Sequence, residues 1–159
     1  MDNLNRFHTA GTYWLTRAEN IALFFLCGIL LVQHFATLNL WRGVIAFSLI
    51  DIVGYIPGAI AYRRQGGGRI SPVYHHLYNI AHTYLVGGAG IAIWAWITGG
   101  FEWSMLAVPF HLSIDRGIFG NVLKPFALAF EPVAAAPEVV AAALGRNSLY
   151  PETGIRTHA

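Results

Sequence analysis

The sequence predicts an all-α, polytopic membrane protein: a bundle of four transmembrane helices with both termini in the cytoplasm. Three observations predict it: 55% of the 159 residues are hydrophobic, only 11% are charged, and the apolar residues fall into four long runs. A soluble domain carries about 25% charged residues. The composition therefore excludes a disordered chain, a nucleic-acid-binding module and an ordinary soluble enzyme, and it favours a chain whose solvent is largely lipid.

Each of the four apolar runs is close to the roughly 20 residues that cross the hydrocarbon core of a bilayer. The first, Asn20 to Leu40, contains no Asp, Glu, Lys or Arg and is too long for a signal-peptide core. The others are Gly43 to Tyr62, Pro72 to Thr98 and Trp103 to Asn121. We therefore predict a four-helix transmembrane domain over residues 1–124.

Residues 125–159 are predicted to form a separate Ala- and Pro-rich tail. Its apolar part, Phe126 to Leu144, contains two prolines and two glutamates, which make a fifth crossing unfavourable. We expect this part to lie at the membrane surface, along the bundle or against another subunit.

Within the second span, Pro57 lacks a backbone N–H and is expected to kink the helix.

The basic residues predict the orientation of the bundle. With both termini in the cytoplasm, eight basic residues lie inside, Arg42 alone lies outside, and Arg116 lies within a span. The eight are Arg6, Arg17, Arg63, Arg64, Arg69, Lys124, Arg146 and Arg156. An excess of Lys and Arg in cytoplasmic loops is typical of membrane proteins, so the opposite orientation is disfavoured.

Ionisable residues inside the spans are the main functional signal, because each costs at least a few kcal/mol in a membrane. At 1.5 Å rise per residue, Asp51, His82 and His111 lie near the midplane of three different helices, and Asp115 follows His111 by about one turn. Two histidines and two aspartates suit zinc, iron or manganese. Arg116 can balance only one of the two carboxylates, so a cation shared by these four residues is the predicted metal site.

Four further polar residues are expected to support this site. They are Glu19, Tyr55, His75 and Asn79. Tyr55 follows Asp51 by four residues, and Asn79 precedes His82 by three, so each pair shares a helix face. Together they predict a polar funnel that opens toward the cytoplasm.

Other interpretations of the polar layer stay open at this point. A proton or a protonated histidine can neutralise the carboxylates, and a hydrogen-bond network without metal can lock the helices together. A haem would use His82 and His111 as axial ligands, and a chlorophyll would use a lone histidine such as His34.

Two classes of function fit the sequence. In an enzyme acting on a lipophilic substrate, Asp51, His82, His111 and Asp115 would be metal ligands or acid and base groups, and Arg116 would orient the substrate. The alternative is a non-catalytic subunit of a larger membrane complex.

Four short motifs carry a resemblance to a known family. They lie at residues 17–19, 51–55, 78–84 and 111–116, and their sequences are RAE, DIVGY, YNIAHTY and HLSIDR. Over residues 17–124 the chain resembles a family of small, uncharacterised four-helix integral membrane proteins of bacteria. The resemblance implies a multi-pass protein of the bacterial inner membrane. It also implies importance for Glu19, Asp51, Tyr55, Asn79, His82, His111, Asp115 and Arg116, without naming a reaction.

Overall fold

The computed structural model describes residues 10–124, 126 and 129–131, and the regular structure of these residues is entirely helical. The predicted all-α class is confirmed. Two helical stretches, Gly11–Gln33 and Leu40–Arg64, are long and apolar enough to cross a membrane, and a bent pair of helices brings the number to three if it counts as one span.

Helix α1 (Ala10–Gln33) forms one side of the fold and packs against the chain segment that carries His111 and Asp115. It begins ten residues before the predicted apolar run, and the added part includes Arg17, which donates to the backbone oxygen of Gly117. A short 3-10 turn, Phe35–Thr37, follows it.

The second apolar run forms α2 (Leu40–Gly54) and α3 (Ile56–Arg64), which are interrupted at Tyr55. The side chain of Asn39 begins α2 by accepting a hydrogen bond from the backbone N–H of Arg42. Pro57 lies in the first turn of α3, a position that tolerates proline because its N–H has no acceptor within that helix. The interruption thus lies two residues before the proline that was expected to kink the helix.

The third run is not the single helix that the sequence predicted. It forms α4 (Pro72–Ala81) and α5 (Tyr84–Thr98), which are bent by 57° at the break between them. The hydroxyl of Thr83 accepts a hydrogen bond from the N–H of Val86 and so starts a new helix. His82 is the residue directly after α4 and therefore lies at this break.

The predicted fourth span consists of three short helical segments. A 3-10 helix, Trp103–Leu106, leads into α6 (Ala107–Ser113), which continues as a π-helix over Ile114–Phe119. Gly120 ends the segment with a left-handed backbone, φ 75°. α6 contacts α1, α2 and α5 and therefore occupies the middle of the fold.

The outer faces of the helices are strongly apolar. Trp41, Leu85 and Trp96 expose 78%, 82% and 83% of their surface, and many Leu, Ile, Val and Phe side chains are exposed in the same way. Contiguous apolar surface on this scale is not found on monomeric soluble proteins. It agrees with helices that contact lipid.

Part of the segment after Lys124 packs against the bundle. Phe130 is fully buried beside α3 and α4, in a cluster with Ala59, Ile70 and Tyr78. Residues 132–159, which contain most of the predicted tail, lie outside the described residues, so its placement stays a prediction.

Candidate metal site

Four separate elements bring the predicted ligands together. Asp51 projects from the last turn of α2, His82 from the break after α4, His111 from the middle of α6, and Asp115 from the π-helix. Both histidines are buried, and the side chain of Asp51 is 40% exposed, against 17% for Asp115. The site is therefore more open on the side of Asp51.

The ring nitrogens and carboxylate oxygens lie at nearly equal separations. Nε2 of His82 lies 3.3 Å from Oδ1 of Asp51 and 3.4 Å from Oδ2 of Asp115. Nε2 of His111 lies 3.7 Å and 3.5 Å from the same two oxygens. Four ligands placed about 2.0–2.1 Å from a tetrahedral zinc ion lie about 3.3–3.4 Å apart. The two separations from His82 match this spacing, those from His111 are slightly longer, and Asp51, His82 and His111 lie close enough together to hold one ion.

His82 has a fixed hydrogen-bonding role at its other nitrogen. Nδ1 lies 2.9 Å from the backbone oxygen of Tyr78, and a carbonyl only accepts, so Nδ1 carries the proton. In the neutral ring, Nε2 is then a bare acceptor that faces two carboxylate oxygens. Histidine ligands of metals are oriented in this way by a hydrogen bond from the second nitrogen. The ring of Tyr78 also stacks on His82, with centroids 3.8 Å apart.

His111 is buried with neither ring nitrogen in a hydrogen bond to any described residue. The edge of its ring packs against Phe47, whose centroid lies 4.5 Å away. Nε2 of His82 also lacks a partner with hydrogen-bond geometry, although it lies near both carboxylates. Buried polar atoms without partners are costly, so these nitrogens favour a further group that the described residues do not supply.

Arg116 does not neutralise either aspartate in the part of the chain that the structure describes. Its Nη2 donates to the backbone oxygen of His82 at 2.8 Å, and its guanidinium lies 4.4 Å from the ring centroid of Tyr84. The arginine thus secures the end of α4 at the break. Without an arginine partner, Asp51 and Asp115 bring two negative charges to the site, which one divalent cation would balance.

A second polar cluster lies next to the site, around Lys124. The ammonium of Lys124 lies within 5.5 Å of the ring centroids of Tyr55, Tyr78 and Phe130, and it donates to the backbone oxygen of Phe130. Tyr55 donates to Glu131. Burial lowers the pKa of Lys124, and the nearby carboxylates of Glu131 and Asp115 oppose this shift. We call these five residues, Tyr55, Tyr78, Lys124, Phe130 and Glu131, the lysine cluster.

The residues predicted to support the site lie elsewhere. Tyr55 belongs to the lysine cluster, and Asn79 holds the backbone of Lys124 through two hydrogen bonds, of 2.7 and 2.9 Å. His75 is buried against Phe130. Glu19 is exposed on α1, and the structure does not bring it to the four-residue site.

Several residues that hold the site were not singled out as site residues from the sequence. Tyr78 was part of a recognised motif, and its position one turn before His82 could have suggested a contact. Phe47 lies four residues before Asp51 and carries only the signal of an apolar core residue. Phe130 and Glu131 lie in the predicted tail, where nothing in the spacing indicates that they return to the bundle.

Comparisons with known proteins bring no further information about the site. No family model, no curated protein and no solved structure matches the chain. The resemblance to a bacterial four-helix family therefore stays a prediction.

Proposed function

We propose that this protein is a metal-binding integral membrane protein that holds one divalent transition-metal ion at Asp51, His82, His111 and Asp115. The observation that carries the proposal is the set of four nitrogen–oxygen separations of 3.3–3.7 Å, none of which has the geometry of a hydrogen bond. Each ring nitrogen lies near an oxygen of both carboxylates without a hydrogen bond to either, which supports an ion shared by the four groups.

A single ion accounts for the arrangement better than the alternatives do. A proton satisfies one nitrogen–oxygen pair and leaves the other histidine buried without a partner. A haem between His82 and His111 would require the space in which the carboxylates of Asp51 and Asp115 lie. His34, the residue considered for a chlorophyll, stacks on Trp103 with centroids 3.6 Å apart.

Zinc fits the site best among zinc, iron and manganese. Zinc prefers four nitrogen, sulfur or oxygen ligands, and two histidines with two aspartates supply such a set. Because the carboxylate of Asp51 is partly exposed, replacing this ligand by water or by a substrate oxygen would give the open position that catalytic zinc sites keep. In this proposal Arg116 is a positioning residue, since it contacts the backbone of His82 rather than the ligand atoms.

The topology that we propose around the site has four crossings, with both termini and the Arg63–Arg69 loop in the cytoplasm. The distribution of basic residues supports it. In a Cys27→Ala background, Gln65→Cys and Gly100→Cys give a matched pair of loop positions. A membrane-impermeant thiol reagent added outside should label Gly100→Cys and spare Gln65→Cys. Labelling of Gln65→Cys alone would overturn the proposed orientation.

Elemental analysis tests the metal site directly. We expect the full chain, purified without a histidine tag, to carry one zinc, iron or manganese ion per molecule, and His111→Ala to carry none. His76→Ala is the matched control, because His76 is an exposed histidine on α4 that lies outside the four-residue site. Its metal content should equal that of the wild type.

Thermal unfolding with and without added zinc separates metal loss from misfolding. A ligand that binds only the folded protein raises its stability, so zinc should raise the Tm of the metal-stripped wild type and leave that of His111→Ala unchanged. The proposal would be wrong if the folded wild type contains no transition metal and its Tm does not respond to zinc, iron or manganese. The polar layer would then be a hydrogen-bond network without a metal.

A further inference from the structure

A long apolar groove lies between α2 and α5, away from the lysine cluster. The 57° bend at the break after α4 directs α5 away from α2 and leaves a cavity of about 640 Å³ between them. Leu49 and Val53 line one wall, Gly90 and Trp94 line the other, and Ala81 lies at the inner end. The groove is distinct from the metal site, although Ala81 is the residue before His82.

The glycines of α5 keep the groove open. A Cβ atom at Gly90 would meet no atom within 4 Å, so the backbone of α5 forms that part of the wall and the space in front of it is free. Gly88 lies two residues earlier, has equally open surroundings, and does not line the groove. A larger side chain at Gly90 would therefore fill the groove, whereas one at Gly88 would not.

The polar groups of the groove lie at one end. Arg42 and Thr98 are its polar lining residues, and both lie where α2 begins and α5 ends. From Arg42 to Val53 the wall extends about 16 Å at 1.5 Å per residue. One leaflet of a bilayer contributes about 15 Å to the hydrocarbon core. The groove thus has the depth of one leaflet and a cation at the level of the headgroups.

We propose that the groove binds one acyl chain of a phospholipid, with the phosphate of that lipid at Arg42. The guanidinium of Arg42 is half exposed and uses Nη1 for Glu102, so its remaining N–H groups can donate to a phosphate. Zwitterionic headgroups suit this position, since Glu102 places a carboxylate beside the cation. The proposal does not depend on a metal, and its readouts differ from those of the metal site.

Tryptophan fluorescence tests the proposal, because Trp94 lines the groove whereas Trp96 is 83% exposed on α5 outside it. Two single-tryptophan proteins, which keep Trp94 or Trp96 and carry Phe at the other four positions, are mixed in detergent with a phospholipid brominated on its acyl chains. At a low ratio of lipid to detergent, we expect quenching of Trp94 and little quenching of Trp96. Gly90→Phe should abolish the quenching of Trp94, and Gly88→Phe should preserve it.

Native mass spectrometry of the wild-type protein gives an independent measurement that does not need the tryptophan replacements. We expect one retained phospholipid per chain, lost in Gly90→Phe, retained in Gly88→Phe and weakened in Arg42→Ala. Equal quenching of Trp94 and Trp96, or retention of lipid by Gly90→Phe, would overturn the proposal. A dimer that Gly90→Phe converts to a monomer would show instead that a second copy of the chain fills the groove.

Discussion

The two ends of the bundle are built differently. At the end that carries the lysine cluster, which we call the lysine end, side chains bond to backbone carbonyls of distant segments: Arg17 donates to the oxygens of Gly117 and Ile118 at 2.7 and 2.6 Å. At the opposite end, the tryptophan end, which carries Trp41 and Trp103, Ser104 also bonds to the backbone of Asn39, but α5 makes few contacts with its neighbours and the groove lies open.

Glycine shows the same difference. At the lysine end, a Cβ on Gly58 would lie 2.2 Å from the ring of Phe130, and one on Gly117 would lie 2.9 Å from the backbone of α1. At the tryptophan end, Gly88 and Gly90 face open space. Within α5 the surroundings change over one residue, since a Cβ on Gly87 would lie 2.9 Å from Val108, so glycine permits close packing at some positions and leaves room at others. The candidate metal site lies between the closely packed half and the half that contains the groove.

The largest effect is expected from a pair of identical substitutions at the two ends. The methyl group of Gly58→Ala would overlap the ring of Phe130 and should displace that ring from the core. We expect the free energy of unfolding to fall by about 3–5 kcal/mol, the usual loss for a buried phenylalanine. Gly88→Ala should stabilise the protein by about 0.5–1 kcal/mol, because alanine favours a helix interior. Unfolding in mixed detergent micelles measures both. Equal effects would contradict the described difference between the ends.

A smaller loss is expected when the link between α1 and the π-helix is removed. Arg17→Met keeps the apolar stem of the side chain and removes two charge-assisted hydrogen bonds, a part-buried one to Gly117 and an exposed one to Ile118. We expect a loss of about 2–3 kcal/mol in the free energy of unfolding. Arg17→Lys, which keeps the charge but not the forked donor, should recover part of it. An unchanged stability of Arg17→Met would mean that the lysine end is held by apolar packing alone.

The lysine cluster should be separable from the metal site. Tyr55→Phe removes the hydroxyl that donates to Glu131, at an expected cost of about 1–2 kcal/mol. Its metal content should stay that of the wild type, because Tyr55 contacts none of the four ligand atoms. Glu131→Gln, which still accepts the hydrogen bond, is the matched control and should cost less. Loss of metal in Tyr55→Phe would show that the lysine cluster and the metal site act as one functional site.

The smallest effect is expected at the tryptophan end. Arg42 and Glu102 form an ion pair there, in which the arginine side chain is 48% exposed. Exposed ion pairs contribute about 0–1 kcal/mol, so Arg42→Gln should lower the stability by no more than that and should lower it less in high salt. A loss as large as that of Arg17→Met would show that this end is as firmly held as the lysine end.

The sequence predicted the proximity of Asp51, His82 and His111 better than it predicted the helices that carry them. Asp51, His82 and His111 were recognised because charged and imidazole groups are costly in apolar runs, and depth along each helix placed them at one level. This argument depends only on the rise per residue, so it still holds when the third span is bent. The break at Thr83 was missed because a threonine inside an apolar run does not by itself distinguish a helix start from helix interior.

Contacts between distant segments were beyond the reach of sequence patterns. Arg116 was expected to face a carboxylate or a substrate, but its partner is a backbone oxygen that becomes available only because α4 ends at His82. The insertion of Phe130 against Gly58 depends on how the chain turns after Lys124. Periodicity describes which face of a helix is buried, and it contains no information about which loop residue returns to cover that face.

The break at His82 gives the protein a mechanical property. His82 is the residue directly after α4, and α5 begins two residues later, so the break between the two half-helices lies beside the proposed ion. An ion that fixes the imidazole of His82 would also restrict changes in the angle between α4 and α5. The restriction would be greatest at the end of α5 that lies farthest from His82. Adding zinc to the stripped protein should therefore slow amide hydrogen exchange in α5 more than in α1, and equal slowing would show that this angle is fixed without the ion.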